Sequence, residues 1–318
     1  LQNHEPSSGR LAAMAIDIEN LRAAWQWAVQ HGQLYRMERA LSSFGQYYLL
    51  HGPFQEGSDA IGLAVEELQV RRRRDQRPQT DRLFAKLLAI QAQLYNRQAA
   101  YQQAVDAALE AIRIAGDTDL ERTEIEGQLQ AALAYRILGD YGKSLQHVEY
   151  ALEHSRDARC PQREAKGLLM LGTVYLYQTQ FESARQTLTD ALERFRSLGN
   201  RRYESRTLNV LGILHLYQGR YGEATRFFEQ ALFRYREIGD RQGEAQVLNN
   251  LAAVCHHSGD LVTAQSQYHR ALAIQQELGG MQGVGLSSGN LSLLAQQSGD
   301  FERALAFGQA AERIASDL

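Results

Sequence analysis

The stretch L-G-D-Y-G-K-S, residues 138–144, closes on the Gly-Lys-Ser that ends a phosphate-binding loop. Such a loop is Gly-x-x-x-x-Gly-Lys-Ser/Thr, because an earlier glycine lets backbone N–H groups curl around the phosphates. Counting back five residues from Gly142 reaches Ile137, and no β-branched run suggesting a strand precedes it. The same local pattern returns without the lysine as S-G-D-F-E-R-A at 298–304 and Q-G-R-Y-G-E-A at 218–224. What recurs is therefore a turn. Lys143 reads as a solvated helix residue just after it.

Outward from that turn, the chain aligns with itself in rows of 40 residues. An aromatic or apolar residue stands at Tyr101, Tyr141, Phe181, Tyr221, Leu261 and Phe301. A small residue follows three places later, at Ala104, Ser144, Ala184, Ala224, Ala264 and Ala304. A second alanine recurs at Ala111, Ala151, Ala191, Ala231, Ala271 and Ala311, with no insertion or deletion. Within a row the period is helical: Leu208, Leu211, Gly212 and His215 fall at i, i+3, i+4 and i+7. Gly219-Arg220 breaks that helix, and a second runs from Tyr221 to about Glu237. Gly239 then supplies a left-handed C-cap and Asp240 the next N-cap.

These residues resemble the tetratricopeptide repeat, whose pattern is Leu-Gly, Tyr, Gly-Asp-aromatic, Ala, then Ala-Leu. The resemblance covers roughly residues 36 to 318 and is closest to the 40-residue variety, with its G-D-x-x-G-E-A here at Gly239 to Ala245. An irregular repeat at the front keeps the spacing with Tyr48, Gly52, Phe54, Gly57 and Ala64. Tyr48 to Tyr95 is 47 residues, so seven extra residues lie between, placed at Arg71 to Arg77. The expected fold is all-α, a right-handed α-solenoid of stacked antiparallel helical hairpins. Residues 1–35 are expected to form a helical lead-in or N-terminal cap. Residues 36–318 are expected to hold seven repeats in one solenoid, with turns near 54, 101, 141, 181, 221, 261 and 301.

Composition agrees with that architecture. Only 4 prolines among 318 residues, with 44% hydrophobic and 22% charged, suit long helices and short connections. A net charge of −3 argues against a nucleic-acid surface spread over the chain. Cys160 and Cys255 form no C-x-x-C pattern, which fits buried thiols in a reducing cytoplasm. No apolar run approaches the ~18 to 20 residues of a membrane span. The polar start L-Q-N-H-E-P-S-S-G-R is neither a signal peptide nor an initiator, so the expectation is a piece of a longer cytoplasmic protein.

Residues 11 to 33 read as an amphipathic helix with Leu11, Ile18, Leu21, Trp25 and Ala28 on its apolar face. The stretch I-E-N-L-R-A-A-W-Q-W-A, Ile18 to Ala28, resembles one in bacterial STAND-type regulators, including MalT-like and LuxR-type activators. There a D-N-L-R-A-A-x-x-W helix follows the nucleotide-binding and winged-helix domains and opens a helical repeat sensor. That resemblance implies an ATPase upstream and neighbouring domains as partners. The alternative is a helix that only covers the first repeat's apolar edge.

Repeats of this kind bind ligands on the wall built by each first helix, which stays open because each repeat touches only its neighbours. Counting from the Leu-Gly pair selects Lys166 and Arg206, which suit a carboxylate or phosphate, and Tyr177 and Tyr217 for stacking or apolar contact. His257 occupies the same column as the tyrosines. Asn209, Asn249, Asn250 and Asn290 cluster in three consecutive repeats although asparagine lowers helix propensity. An amide donates and accepts at once, so such a row grips a peptide backbone or sugar hydroxyls. The alternative is that these amides bond between adjacent helices and stiffen the stack.

His215, Cys255, His256 and His257 suggest zinc at first sight, but His215 and Cys255 replace an inward tyrosine, His256 and His257 then point elsewhere, and no second cysteine or nearby carboxylate completes four ligands. The run R-R-R-R-D-Q-R, 71–77, is either a nucleic-acid patch or a solvated edge. No G-x-S-x-G or H-E-x-x-H is present. The expectation is a non-catalytic module with no metal and no cofactor. It binds a protein, a peptide or a small polar effector, as the sensor of a regulator or as a scaffold. The last hairpin, without a polar cap helix after it, is expected to meet further chain, a partner or another copy.

Overall fold

The computed structural model describes residues 18–51, 54–74, 77–118 and 120–317. The sequence-based features at 11–17, Gly52, Asp75 and Gln76 lie outside them. Among the described residues there are fifteen helices and no strand. They are α1 (Ile18–Gln30), α2 (Leu34–His51), α3 (Phe54–Arg74), α4 (Pro78–Arg97) and α5 (Tyr101–Asp117). Then come α6 (Glu121–Ile137), α7 (Tyr141–Asp157), α8 (Pro161–Tyr177), α9 (Phe181–Ser197) and α10 (Arg201–Tyr217). The last five are α11 (Tyr221–Glu237), α12 (Arg241–His257), α13 (Leu261–Glu277), α14 (Met281–Gln297) and α15 (Phe301–Asp317). Contacts divide the chain into two units, Leu1–Val174 and Tyr175–Leu318.

In the first unit α4 packs on α5, and α6 on α7; in the second the pairs are α10 with α11, α12 with α13 and α14 with α15. Second helices also touch the first helix of the next hairpin, as α5 does α6 and α11 does α12. These are the stacked antiparallel hairpins of an α-solenoid. Small residues make the close approach possible: Ala104, Ser144, Ala184, Ala224 and Ala264 are fully buried. Ser144 carries a hydroxyl there, and that hydroxyl donates to the Ala132 carbonyl at 2.8 Å. Gly212 serves the same end on α10, since a Cβ on it would lie 2.5 Å from the buried Phe228 ring.

The turns follow the L-G-D-Y reading. Gly139 has φ +84° and the Asp140 N–H reaches back to the Tyr135 carbonyl at 2.9 Å, closing the helix end. Asp140 then accepts from the Lys143 N–H at 3.0 Å and opens the next helix. Asp240, Asp260 and Asp300 accept in the same way from Gly243, Thr263 and Arg303. Lys143 itself is exposed, pairs with Asp140 at 3.0 Å and lies over the Tyr135 ring. It belongs to the turn and not to a phosphate loop.

In the first unit α1 caps the front hairpin. Trp25 is buried, stacks on Phe44 with centroids 4.5 Å apart, and donates its indole N–H to the Ala60 carbonyl. Ile18, Ala28 and Val29 are buried with it, while Leu21 is partly buried. The Arg22 guanidinium donates to the Tyr48 hydroxyl at 2.9 Å. The extra length of the front repeat is taken up as helix: α3 has 21 residues and α4 has 20, against 17 in the regular repeats.

Three turns place a residue with a Cβ where the others have glycine: Ala99 at φ +64°, Arg159 at +49° and Thr179 at +60°. The left-handed conformation costs a side-chain-bearing residue about 1 to 2 kcal/mol, more than the chain entropy that glycine adds to the unfolded state. Ala99→Gly, Arg159→Gly and Thr179→Gly should therefore each raise the urea midpoint of unfolding. A lowered midpoint in all three would contradict this account of the turns.

Candidate functional site

In the second unit the first helices α10, α12 and α14 lie side by side, and polar side chains join them. The Asn250 amide donates to the Asn209 carbonyl oxygen at 2.8 Å, linking α12 to α10. The Asn249 amide donates to the Ser287 hydroxyl at 2.8 Å, linking α12 to α14. Asn209 and Asn249 are buried at 8% and 4% exposure, so their first task is to hold neighbouring helices in register. The Asn249 carbonyl oxygen is buried with no hydrogen-bond partner among the described residues.

One face of the same helices, which includes Asn250, is largely open to solvent. The sixth, tenth, thirteenth and seventeenth places of each helix share one face, since they are spaced i, i+4, i+7 and i+11. On α10 they are Arg206, Val210, Ile213 and Tyr217; on α12, Gln246, Asn250, Ala253 and His257; on α14, Leu286, Asn290, Leu293 and Gln297. Of these only Val210 is fully buried. Arg206, Tyr217, Asn250, His257 and Asn290, selected by spacing in the sequence, thus share one face of three adjacent helices. Tyr177, half exposed at the end of α8, belongs to the same column. This face carries no carboxylate at any of its twelve places.

Lys166 lies in the first unit, in a network between α6 and α8. Its Nζ is 3.6 Å from a Glu126 carboxylate oxygen, and the Arg163 Nε is 3.7 Å away. The Gln130 amide donates to Glu126 at 2.9 Å, and the Asn96 amide on α4 donates to the Gln130 side chain and backbone carbonyl. Burial opposes the Glu126 charge, yet Lys166 and Arg163 hold its carboxyl below the ordinary 4.5. Lys166 therefore has a carboxylate of its own.

The histidines do not converge. His215 is buried and stacks on Phe227, with burial foremost pushing its imidazole below 6.5. His256 bonds Gln297 at 2.7 Å, and the exposed His257 ring lies parallel to Tyr221. Among the described residues no three of His, Cys, Asp and Glu gather as metal ligands. Cys160 is buried and Cys255 half-buried, with burial pushing the Cys255 thiol up.

The arginine run is partly internal. Arg72 pairs with Asp81 and lies over the Phe84 ring at 4.5 Å, although the run has no aromatic of its own. Arg71 pairs with Glu67 at 2.9 Å and donates to the Gly32 carbonyl at 3.2 Å, so it ties the end of α1 to α3. Arg73 and Arg74 are exposed. The solvated-edge reading fits those two, while Arg71 and Arg72 hold structure together.

One device escaped the sequence reading. An arginine near the end of α7, α9 and α11 pairs across the turn with a glutamate eight residues on: Arg156 with Glu164, Arg196 with Glu204 and Arg236 with Glu244, at 2.9 to 3.2 Å. The cation stands at a helix C-terminus and the anion at the next N-terminus, where each is favoured by the helix dipole. The signal was present as R-x7-E at a fixed place in the period. An open cleft of about 290 Å³ lies over the second staple, lined by Arg196, Glu204, Leu208, Glu229, Phe233 and Arg234 among others. It includes none of the solvent-facing places above.

Residues 163–237 and 243–317 match the profile of the tetratricopeptide repeat family. No protein of curated function matches the chain in sequence. Among solved structures, a Rap protein complexed with Competence and Sporulation Factor is similar, with a TM-score of 0.70 at 15% identity, covering 98% of this chain and 93% of its own. NprR in complex with its cognate peptide NprX gives 0.62 at 18% identity, covering 92% and 87%. BtubC from P. vanneervenii gives 0.53 at 22% identity, covering 69% and 89%. At these identities the similarity is one of fold. Among the described residues no helix is long and apolar enough to cross a membrane.

The Glu126 network makes a pH prediction. Its carboxyl is depressed in the folded chain, so the stabilisation is present above about 4.5 and is lost as pH falls through the folded value. Glu126→Gln should cost about 1 to 3 kcal/mol at neutral pH, and its gap to the wild type should close as pH drops below 4.5. Denaturant titrations across that range test this. A gap unchanged at pH 3 would contradict it.

Proposed function

We propose that the chain is a non-catalytic binding module that holds a peptide or an extended protein segment on the solvent-facing places of α10, α12 and α14. The observation that carries this reading is the half-buried Arg206. No carboxylate pairs with it among the described residues, whereas Arg202 pairs with Asp240 and Arg241 pairs with Glu244 and Glu277. A guanidinium stays charged and offers a ligand's carboxylate a forked, charge-assisted hydrogen bond that no group among the described residues already occupies. Beside it, Gln246, Asn250 and Asn290 supply amides that match a peptide backbone. NprR, similar in fold, has a cognate peptide, which supports the same class of ligand here.

The resemblance of Ile18 to Ala28 to the helix that opens STAND-type sensors supports a finer reading. In it, the module is the sensing part of a cytoplasmic regulator, and its ligand acts by preferring one of two states of the whole. Tyr177, Tyr217 and His257 would then frame the ligand, with Asn209 and Asn249 holding the helices beneath it.

The test is thermal unfolding against a panel of short peptides, oligosaccharides and nucleotides. A binder at 100 times its dissociation constant adds about 2.7 kcal/mol. The expected hit is a peptide, and its shift should vanish in Arg206→Ala and Asn290→Ala while the free proteins unfold as the wild type does. Asn209→Ala should instead lower the midpoint of the free protein. A peptide hit indifferent to both Arg206 and Asn290 would remove this face from the account.

A further inference from the structure

One of the solvent-facing places changes chemistry in order along the unit. At the sixth place stand Arg206, Gln246 and Leu286: a cation, an amide and an aliphatic side chain on α10, α12 and α14. At the tenth place the order is Val210, Asn250 and Asn290, and at the thirteenth all three are apolar, Ile213, Ala253 and Leu293; on α14, Asn290 thus sits between Leu286 and Leu293 on one face. Leu286 and Leu293 are 59% and 56% exposed, a large apolar surface for one helix of a folded repeat. The cationic end has no competitor for an incoming acid. Glu204 is turned to Arg196 and Arg234, and Glu244 to Arg236 and Arg241.

Resting on the peptide-binding reading of this face, we infer that its ligand is an extended peptide with two anchors: a carboxylate on Arg206 and an aliphatic side chain on Leu286 and Leu293. Packed helices stand about 8 to 10 Å apart, so two intervals span about 16 to 20 Å. An extended chain advances about 3.3 Å per residue, which sets the anchors about five or six residues apart. Between them the backbone runs over the amides of Gln246, Asn250 and Asn290. A basic peptide is disfavoured, because the face offers no carboxylate and would place two cations together.

Selection of random dodecapeptides displayed against the full chain tests this. The expected pool is enriched in an Asp or Glu about five or six residues from a Leu, Ile, Val or Met. A selected peptide should lose at least about thirtyfold in affinity for Arg206→Glu. Replacing its acid by lysine should restore binding to that variant, a rescue that a merely unfolded variant cannot give. Leu286→Asp should weaken the aliphatic anchor alone. Binders that lack the paired anchors, or that bind Arg206→Glu equally well while still needing Asn290, would overturn the two-anchor ligand and leave peptide binding standing. A pool in which no peptide depends on Arg206, Asn290 or Leu286 would overturn both.

Discussion

Two seventeen-residue helices lie side by side only if something small stands where they cross, and the rest of this structure depends on that constraint. The alanines at 104, 184, 224 and 264 are fully buried, and Ser144 and Gly212 meet the same need by a backbone hydrogen bond and by missing side-chain volume. Close crossing fixes the shape of each hairpin. A constant hairpin, closed by the same left-handed turn, stacks on its neighbour at a constant offset. That offset brings the sixth places of α10, α12 and α14 into one column, although 40 residues of chain separate each from the next.

Charge is then sorted by position. At the turns the arginines and glutamates staple successive hairpins, so those cations are spent on the fold. In the first unit Lys166 and Arg163 are likewise spent on Glu126. The solvent-facing column of the second unit differs: it holds a cation, amides and aliphatic groups with no anion among them. A stack whose cohesion lies in its small-on-large crossings and turn staples leaves such a column free to be set by what it binds.

The period, the glycine turns and the aspartate caps were legible because each is local: Gly139 and Asp140 act within one turn of helix. The solvent-facing column was legible for the same reason, since helical spacing alone places Arg206, Asn250, Asn290 and Tyr217 on one face. Pairings across the stack were not. Whether Asn250 meets Asn209, 41 residues away, depends on how far each helix rotates, and only packing sets that. The asparagine cluster was visible as an anomaly of propensity, and the structure gives it a lateral bond on either side of α12. Lys166 read as a ligand group because its partner Glu126 lies one repeat back. Ala99, Arg159 and Thr179 hide their left-handed turns, because the regular repeat imposes the conformation whatever the residue.

The measurement that tests the central claim most directly is amide hydrogen exchange of the chain with and without a bound peptide. The account predicts added protection confined to α10, α12 and α14, the helices that carry Arg206, Asn250 and Leu286. Protection concentrated instead on α11 and α13, or around the cleft at Phe233, would contradict it.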